Sequence, residues 1–438
     1  MTTLIKLREF ERRSRREFPS EALARLERFD RALTDSARST VLDWSLADDI
    51  RATSWVGVLQ VPGLSIEILP KLESTGAAND DQSTRALSRR NLLYMLAVAG
   101  NMPFSERDLA GQESVRDSLL EVLITAFVRR LQAEMRRGVD HEYQDVQENC
   151  PYLRGKLQVV EHIRKNIAHR ERFAVRYSVF GTDTRINRIL KASCARLHHL
   201  TSSLRNRTAL SHVMQLFEPV EDAPVSPTEF QRIVYTRSSE RFRPLIDFCR
   251  LLSTGQSPTL SGGTATQTFS LLFPMERVFE AFVSRFAVRH AQRLGLRSEH
   301  IHVQAHRRTR HLLRDERGRP IYRLEPDLLI DGPDGPVVLD TKWKRLDALS
   351  RVTSVRPSQA DIYQLHAYAT RYGATRTILL FPRVPDASPR AWTMEGNPQQ
   401  HLLVRFLDLS HDLRTHSEIL LQTLAEAIHG AEVLVDNA

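Results

Sequence analysis

The sequence has few cysteines and no long run of apolar residues, and each absence excludes a class of protein. Only three of the 438 residues are cysteine. Cys150, Cys194 and Cys249 are widely spaced and odd in number, so they cannot form a fully paired disulfide framework and show no zinc-site spacing. No apolar run approaches the ~20 residues that a membrane-spanning helix requires. Because the N-terminal residues are charged rather than signal-like, we expect a cytoplasmic protein with no membrane partner.

The sequence also lacks an internal repeat and a G-x-x-x-x-G-K-[ST] loop for binding nucleotide phosphates. Its length and its 41% hydrophobic content instead predict two or three domains with packed cores. A formal net charge of +9 indicates a polyanionic partner. Arginine and histidine are dense from Arg289 to Arg319, where cations could dock a phosphate backbone; a solvated, arginine-rich surface is the alternative.

An acidic segment, LEPDLLIDGPDGPVVLDTKWK, follows this basic stretch at residues 324–344. Two apolar runs flank DGPDGP, a pattern that predicts a β-hairpin. Asp327 falls on the first strand, and Asp340 and Lys342 are two apart on the second, so the latter two share a face. Two carboxylates and an ammonium at one end of a sheet can hold a hard divalent cation and activate a water.

Two predicted helices make this pattern more specific than a D-x-K triplet, which is common by chance. MERVFEAFVSRF places Glu276 and Glu280 four residues apart on an amphipathic helix. DIYQLHAY places Gln364 and Tyr368 on one face of another. The order of these elements is that of the PD-(D/E)xK nuclease core: a helix with Glu, a strand with Asp, a strand with Asp-x-Lys and a helix with Gln-x-x-x-Tyr.

With these motifs and the blocks VGVLQVPGLSIEILPKL, NLLYML, LRGKLQV and DTRINRILKA, the sequence resembles the McrC family, the nuclease subunit of McrBC modification-dependent restriction systems. The resemblance runs through most of the chain. It implies an endonuclease for double-stranded DNA that works with McrB, a hexameric AAA+ GTPase that recognises modified DNA and translocates. It also implies docking on that ring through the N-terminal half and stimulation of its hydrolysis. The missing phosphate loop agrees with an NTPase in a separate subunit.

We expect Asp327, Asp340 and the backbone carbonyl of Thr341 to bind Mg²⁺ (or Mn²⁺), which polarises the scissile phosphate and lowers the pKa of a bound water. Lys342 would orient or help deprotonate that water and stabilise the pentacovalent phosphate. Trp343 should face away from Lys342 and pack into the core, because side chains alternate along a strand.

The flanking helices should add further groups to this site. Glu280 is the expected additional carboxylate, with Glu276 as the alternative. Gln364 and Tyr368 should shape the site and contact phosphate, although Tyr368 could instead be a core residue with its hydroxyl bonded locally.

The expected fold is α/β, with a C-terminal PD-(D/E)xK core (a mixed sheet flanked by helices) preceded by an α+β region. IYRLEPDLLI, VVLDTKW and TRTILLFPRV should be neighbouring strands, the last parallel to the second across a crossover helix. The Gly-, Ser- and Thr-rich stretch 257–270 is the best boundary candidate. We therefore predict a β-containing subdomain at 1–90, a helical or α+β partner-docking region at 91–262, and an endonuclease domain at 263–438.

Further elements follow from local patterns. Pro62-Gly63 should turn a hairpin, and residues 91–131 should be helical. The first part of the segment after Gly138 should be irregular or short-stranded, with RGKLQV and FAVRYSVF as strands. A helix should begin at Thr184 and place Asn187 and Arg188 on a solvated face, with a projection of both towards a partner as the alternative.

Two other functions remain open. Q-x-x-x-Y is also typical of autonomous nucleases of the RecB or resolvase type, which would degrade DNA with Mg²⁺ alone. A nuclease-inactive activator of an AAA+ partner would bind no metal.

Overall fold

The computed structural model describes residues 2–37, 40–72, 81–109, 118–254, 268–306, 308–343, 357–384 and 387–430. It is a mixed α/β protein with several sheets. The chain forms two compact units, Met1–Leu119 with Ser270–Ala438 and Leu120–Phe269. None of the described helices is long and apolar enough to cross a membrane.

The N-terminal part of the first unit has a β-sheet packed against helices. The predicted hairpin is confirmed, because its strands pair antiparallel from Gly57–Ile68 to Val61–Leu64. Gly63 makes the turn with φ +85°, a conformation that favours glycine. The elements are strands β1 (Thr3–Arg8), β2 (Arg12–Ser14), β3 (Leu42–Asp43), β4 (Asp49–Ala52), β5 (Trp55–Val61) and β6 (Leu64–Leu69), with helices α1 (Ser20–Ala37), α2 (Asp81–Val98) and α3 (Glu106–Leu109).

The second unit is mainly helical and has one three-stranded sheet. The prediction of an irregular or short-stranded segment directly after Gly138 is wrong, because a nine-residue strand there pairs antiparallel with a second strand along its whole length. That second strand is the predicted strand FAVRYSVF, which is confirmed. The elements are helices α4 (Leu119–Met135), α5 (Val159–Asn166), α6 (Arg185–Leu200), α7 (Leu204–Gln215), α8 (Pro227–Gln231) and α9 (Arg243–Thr254), with strands β7 (Glu142–Cys150), β8 (Lys156–Leu157) and β9 (Phe173–Gly181).

Helix α6 begins as predicted, because the Thr184 side chain accepts a hydrogen bond from the amide of Asn187 and caps the helix. Asn187, however, is fully buried, so its expected solvated position is wrong. Its Nδ2 donates to the carbonyl oxygens of Asp140 (2.8 Å) and Thr182 (2.6 Å). The side-chain amide thus supplies both of its N–H groups to backbone carbonyls, and that of Thr182 also accepts from the amide of Thr184 (2.8 Å). Asn187 therefore fixes how the chain enters α6.

The C-terminal part of the first unit holds a six-stranded sheet in the order β11-β14-β15-β16-β18-β17. Its inner strands are neighbours as predicted: β14 and β15 pair antiparallel, and β15 and β16 pair parallel. The elements are strands β10 (Phe269–Pro274), β11 (Ile301–Val303), β12 (Arg310–Arg314), β13 (Pro320–Leu324), β14 (Leu328–Gly332), β15 (Gly335–Thr341), β16 (Arg376–Pro382), β17 (Arg390–Met394) and β18 (Asn397–Leu407), with helices α10 (Met275–Arg289), α11 (Gln359–Tyr372) and α12 (Ser417–His429).

The segment IYRLEPDLLI is two strands rather than one. Its first half is β13, which pairs with β12 in a separate two-stranded ribbon, and its second half is β14 in the main sheet. The break falls at Pro326, which has no N–H group for a sheet ladder and restricts the conformation of Glu325 before it.

Contacts between distant parts of the sequence join the first unit. Strand β10 lies beside β5 in the N-terminal sheet. Their approach requires glycine at position 57, where a Cβ would lie 1.9 Å from the carbonyl oxygen of Leu271. In α2, Asn91 Nδ2 donates to the carbonyl oxygens of Leu409 (3.1 Å) and His411 (2.6 Å) beyond the six-stranded sheet.

These contacts place the first 119 residues in one compact unit with residues 270–438, a division that differs from the predicted segments 1–90, 91–262 and 263–438. The composition of stretch 257–270, which suggested a domain boundary, gives no information about the pairing of β10 with β5. Most of the predicted boundary stretch lies outside the described residues.

Candidate active site

Three of the predicted site residues meet at one edge of the six-stranded sheet. Leu328 pairs with Leu339, so antiparallel register brings the preceding residue, Asp327, level with Asp340. Lys342 follows one residue beyond the end of β15, and its amide donates to the carbonyl of Leu380 in β16 (2.9 Å). The hairpin and its parallel neighbour thus bring two acids and an amine together.

The carboxylate of Asp327 is held by Thr341. The backbone amide and the hydroxyl of Thr341 both donate to Asp327 Oδ2 at 2.6 Å. The hydroxyl contact had no sequence signal, because Thr341 was expected to contribute only its carbonyl. These two donors fix the orientation of the half-buried Asp327 carboxylate.

Asp340 is 2% exposed and lies against Lys342. Lys342 Nζ lies 2.7 Å from Asp340 Oδ2, an ion-pair distance. The approach does not have hydrogen-bond geometry, and no other donor among the described residues reaches this buried oxygen. Buried carboxylate oxygens are normally hydrogen-bonded, so Oδ2 retains capacity for a further ligand.

The ammonium of Lys342 is oriented from helix α11. Its Nζ donates to Gln364 Oε1 at 3.0 Å and lies 3.7 Å from the carboxylate of Asp361. Gln364 Nε2 donates to the hydroxyl of Tyr368 (2.9 Å), and that hydroxyl donates to the carbonyl of Glu325 (3.2 Å). Gln364 and Tyr368 therefore lie with the acids, and buried Tyr368 both packs in the core and joins this network.

Asp361 was not predicted as part of the site. It forms a capping box with Ser358 at the start of α11, and the S-x-x-D pattern at this position signals only a helix start. Its nearness to Lys342 depends on how α11 packs against β15, which a local pattern does not give.

The surroundings shift the pKa values of these groups. Burial, together with the charges of Asp340 and Glu280, raises the pKa of Asp327 to about 7. Burial also raises the pKa of Asp340, against the opposing charge of Lys342. Burial alone would lower the pKa of Lys342, but the carboxylates of Asp340, Asp361 and Asp327 together outweigh it and the pKa is raised. The amine therefore stays protonated, while both acids would ionise more readily with a cation bound.

The two glutamates of α10 face different surroundings. Glu280 accepts a hydrogen bond from Gln304 Nε2 (2.9 Å), and its charge raises the pKa values of Asp327 and Asp340. Glu276 instead acts on Glu9, whose pKa its charge raises. Gln304 has φ +48° and had no sequence signal. Glu280 is thus the α10 acid that lies near the two aspartates.

A divalent cation fits this set of oxygen atoms. Among the described residues, no group of three or more His, Cys, Asp or Glu side chains is placed to hold a metal ion. A cation here would use Asp327, Asp340 and oxygen atoms of other kinds, for which the Thr341 carbonyl and water remain the expectation. The Oδ2 of Asp340, which has only the Lys342 ammonium beside it among the described residues, is the structural feature that favours such a ligand. Hard oxygen ligands suit Mg²⁺ or Mn²⁺.

Comparisons with known proteins agree with this fold. The family model described as "McrBC 5-methylcytosine restriction system component" matches residues 50–382, more than half of the chain. A curated relative, the type IV methyl-directed restriction enzyme EcoKMcrBC of Escherichia coli (strain K12), is 19% identical over 323 residues, which cover 70% of this chain and 89% of the relative.

Two solved structures from Thermococcus gammatolerans are also similar. One, a half-complex from a tetradecameric assembly of McrB AAA+ hexamers with bound McrC, has a TM-score of 0.73 and 21% identity and covers 96% of this chain and 99% of its own. The other, the McrBC complex, has a TM-score of 0.53 and 24% identity, with 66% and 88% covered. At these identities the likeness shows the fold. The matched family model, however, covers enough of the sequence to show that this chain belongs to the family of McrBC 5-methylcytosine restriction system components.

Proposed function

We propose that this chain is the McrC-type nuclease subunit of its restriction system, a Mg²⁺- or Mn²⁺-dependent PD-(D/E)xK endonuclease that hydrolyses double-stranded DNA. The observation that carries the proposal is the convergence of Asp327, Asp340 and Lys342 at one sheet edge, with Lys342 Nζ 2.7 Å from Asp340. Two acids that can hold a cation beside a protonated amine are the equipment that phosphodiester hydrolysis requires.

Each side chain of the candidate site would have a separate role in phosphodiester hydrolysis. A bound Mg²⁺ would supply Lewis acidity to the scissile phosphate and to the attacking water. Asp327, fixed by Thr341, and Asp340, whose Oδ2 is paired only with the Lys342 ammonium, would hold that cation. Because its pKa is raised, Lys342 would act as a cationic donor that holds the water and stabilises charge on the phosphate, rather than as a base. Gln364 keeps the Lys342 ammonium in place.

Exposed arginines on the ribbon formed by β12 and β13 favour DNA as the substrate. Arg371 Nε in α11 donates to the carbonyl of His311 (3.0 Å), and the Tyr372 hydroxyl donates to that of Leu324 (3.0 Å). These contacts fix the ribbon to the helix that carries Gln364 and Tyr368. Arg310 is exposed on it, and Arg317 is exposed in its turn. Cations beside the site would dock the phosphate backbone and position the duplex.

Exposed apolar side chains of the second unit favour a protein partner. This unit exposes large apolar side chains on and around its sheet, and exposed apolar patches mark interaction sites. One similar solved structure contains McrB AAA+ hexamers with bound McrC. We therefore assign the partner of this chain as an AAA+ GTPase ring, docked through the second unit. The exposed side chains are Tyr143, Tyr152, Leu153, Val160, Ile167 and Phe180.

Cleavage by catalytic-site variants tests the proposal. Full-length chain, its AAA+ partner, GTP and Mg²⁺ are incubated with plasmid DNA carrying 5-methylcytosine. Asp340→Ala or Lys342→Ala should abolish cutting while the unfolding midpoint and partner binding are retained. Asp334→Ala, at an exposed acid in the β14–β15 turn, should cut normally. Full cutting by either site variant refutes the assignment.

The same assay separates the two remaining functions. Cutting by the isolated chain with Mg²⁺ alone would favour an autonomous nuclease. Stimulated GTP hydrolysis by the partner without any cutting would favour a nuclease-inactive activator.

A further inference from the structure

A buried carboxyl group from the N-terminal sheet contacts the residue that follows Lys342. Glu9, just beyond β1, is 1% exposed. Its two carboxyl oxygens accept from Trp343 Nε1 at 3.0 and 3.2 Å, and one of them also accepts from the amide of Lys71 at 3.2 Å. The backbone amide of Glu9 donates to the carbonyl of Leu69 (3.0 Å). Glu9 is therefore fixed by the N-terminal sheet and presents its acceptors to the indole.

Trp343 lies between this carboxyl group and helix α10. Its ring packs against Phe279, with 5.3 Å between ring centroids. Phe279 directly precedes Glu280, which lies near the two aspartates. The indole therefore contacts the N-terminal sheet on one side and a helix of the candidate site on the other.

We propose that Glu9 is a positioning residue for cleavage. By holding the indole of Trp343, it fixes the backbone at the end of strand β15 and so sets where the ammonium of Lys342 lies. This inference rests on the nuclease function proposed above. Glu9 contacts none of Asp327, Asp340 and Lys342 in the described contacts, so its effect on these residues would pass through Trp343.

The geometry of a strand end explains why such a contact is needed. Strand β15 ends at Thr341, so Lys342 and Trp343 lie beyond its regular pairing. Neighbouring side chains in extended backbone point in opposite directions, so a rotation that releases Trp343 also displaces Lys342. Gln364 and Asp340 hold the Lys342 ammonium, whereas the contact of Trp343 holds the backbone from which the lysine side chain extends. A displacement of about 1 Å at a reacting group can cost about 100-fold in rate.

The choice of a carboxyl group here is costly in stability. Burial raises the pKa of Glu9 to about 8, so the site disfavours the charged form. An apolar side chain would fill the space without that cost, but it could not accept from the indole N–H. Glu9 is thus better explained by the contact with Trp343 than by packing.

The first unit contains a second hydrogen bond from a tryptophan indole to a buried carboxyl group, which serves as a control for the Glu9–Trp343 contact. Trp44 Nε1 donates to Asp30 Oδ2 at 2.7 Å, and Asp30 is also 1% exposed. Asp30 and Trp44 belong to the core around α1 and the N-terminal strands. A loss of the Asp30–Trp44 contact should therefore affect stability and leave cleavage unchanged.

The test compares the two pairs in the full-length chain with its AAA+ partner, GTP, Mg²⁺ and plasmid DNA carrying 5-methylcytosine. Glu9→Ala and Trp343→Phe should each lower the single-turnover rate roughly 10- to 100-fold, with DNA affinity unchanged. Glu9→Gln, which keeps an acceptor, should remain within about 3-fold of the wild-type rate. Asp30→Ala and Trp44→Phe should lower the unfolding midpoint without changing the rate.

An NMR spectrum of ¹⁵N-labelled indoles gives a readout besides activity. The Trp343 indole N–H resonance should shift in Glu9→Ala and return near its wild-type position in Glu9→Gln. Wild-type rates in both Glu9→Ala and Trp343→Phe, or equal rate losses in the Asp30–Trp44 variants, would overturn the inference while leaving the nuclease function intact. A wild-type chain that does not cut would overturn both.

Discussion

Replacing Glu9 by glutamine should change how the stability of the protein depends on pH. The pKa of Glu9 rises from its ordinary 4.5 to about 8, mainly because of burial, while the hydrogen bonds from Trp343 and Lys71 oppose the rise. The charge of Glu276 in α10 raises it further, and the cavities beside Glu9 are lined by Lys71, Arg85 and Arg383. The folded protein therefore keeps a proton that the unfolded chain releases.

The sign and size of the effect follow from this difference. A raised pKa in the folded state contributes stability that is fully present below the ordinary value and is lost as pH rises towards the folded value. A shift of about 3.5 units at about 1.36 kcal/mol per unit corresponds to about 4 to 5 kcal/mol as an upper bound. A glutamine side chain does not titrate, so the Glu9→Gln variant should lose none of this stability between about pH 5 and about pH 8.5.

Urea unfolding across this pH range measures the difference. The free energy of unfolding of Glu9→Gln relative to wild type should rise by several kcal/mol from acid to alkaline pH. Asp30→Asn is the control, because burial raises the pKa of Asp30 only to about 6. Its free energy of unfolding relative to wild type should therefore not change with pH above that value. Parallel pH profiles for wild type and Glu9→Gln would refute the raised pKa of Glu9 and the burial that causes it.

Two further predictions concern other parts of the chain. Asn187→Ala should lower the free energy of unfolding by about 1 to 3 kcal/mol, because the buried carbonyl of Asp140 loses its side-chain donor and that of Thr182 loses one of its two donors, and urea unfolding would measure this. Arg310→Glu should weaken DNA binding and reduce its salt dependence, as measured by fluorescence anisotropy at several salt concentrations. An exposed arginine on α1, changed as Arg28→Glu, is the control, and equal effects of both changes would contradict a DNA-contacting ribbon.

The sequence predicted the elements of the candidate site whose signals are local. The Gly- and Pro-rich turn and the apolar runs predicted the hairpin of Asp327 and Asp340, and helical periodicity predicted α10 and α11. Strand β7 was missed because it is largely exposed and therefore lacks the apolar alternation that marks a strand with one buried face.

The remaining contacts depend on distant parts of the chain. Glu9 and Trp343 are 334 residues apart, and periodicity carries no information about such a pairing. The bond from Gln304 to Glu280 requires a turn in which Gln304 and Ala305 both have positive φ, which neither residue type signals. Asn187 was assigned to a solvated face because its burial depends on carbonyls that the fold brings to it.

The position of a bound manganese ion tests the central claim most directly. Crystals of the protein are soaked in Mn²⁺, which prefers the same oxygen ligands as Mg²⁺ and can be located by its anomalous scattering. The account predicts a peak within coordination distance of carboxylate oxygens of both Asp327 and Asp340, and no peak there in crystals of Asp340→Ala. A saturated soak with no peak between these two aspartates, or an equal peak in Asp340→Ala, would contradict the metal-dependent nuclease.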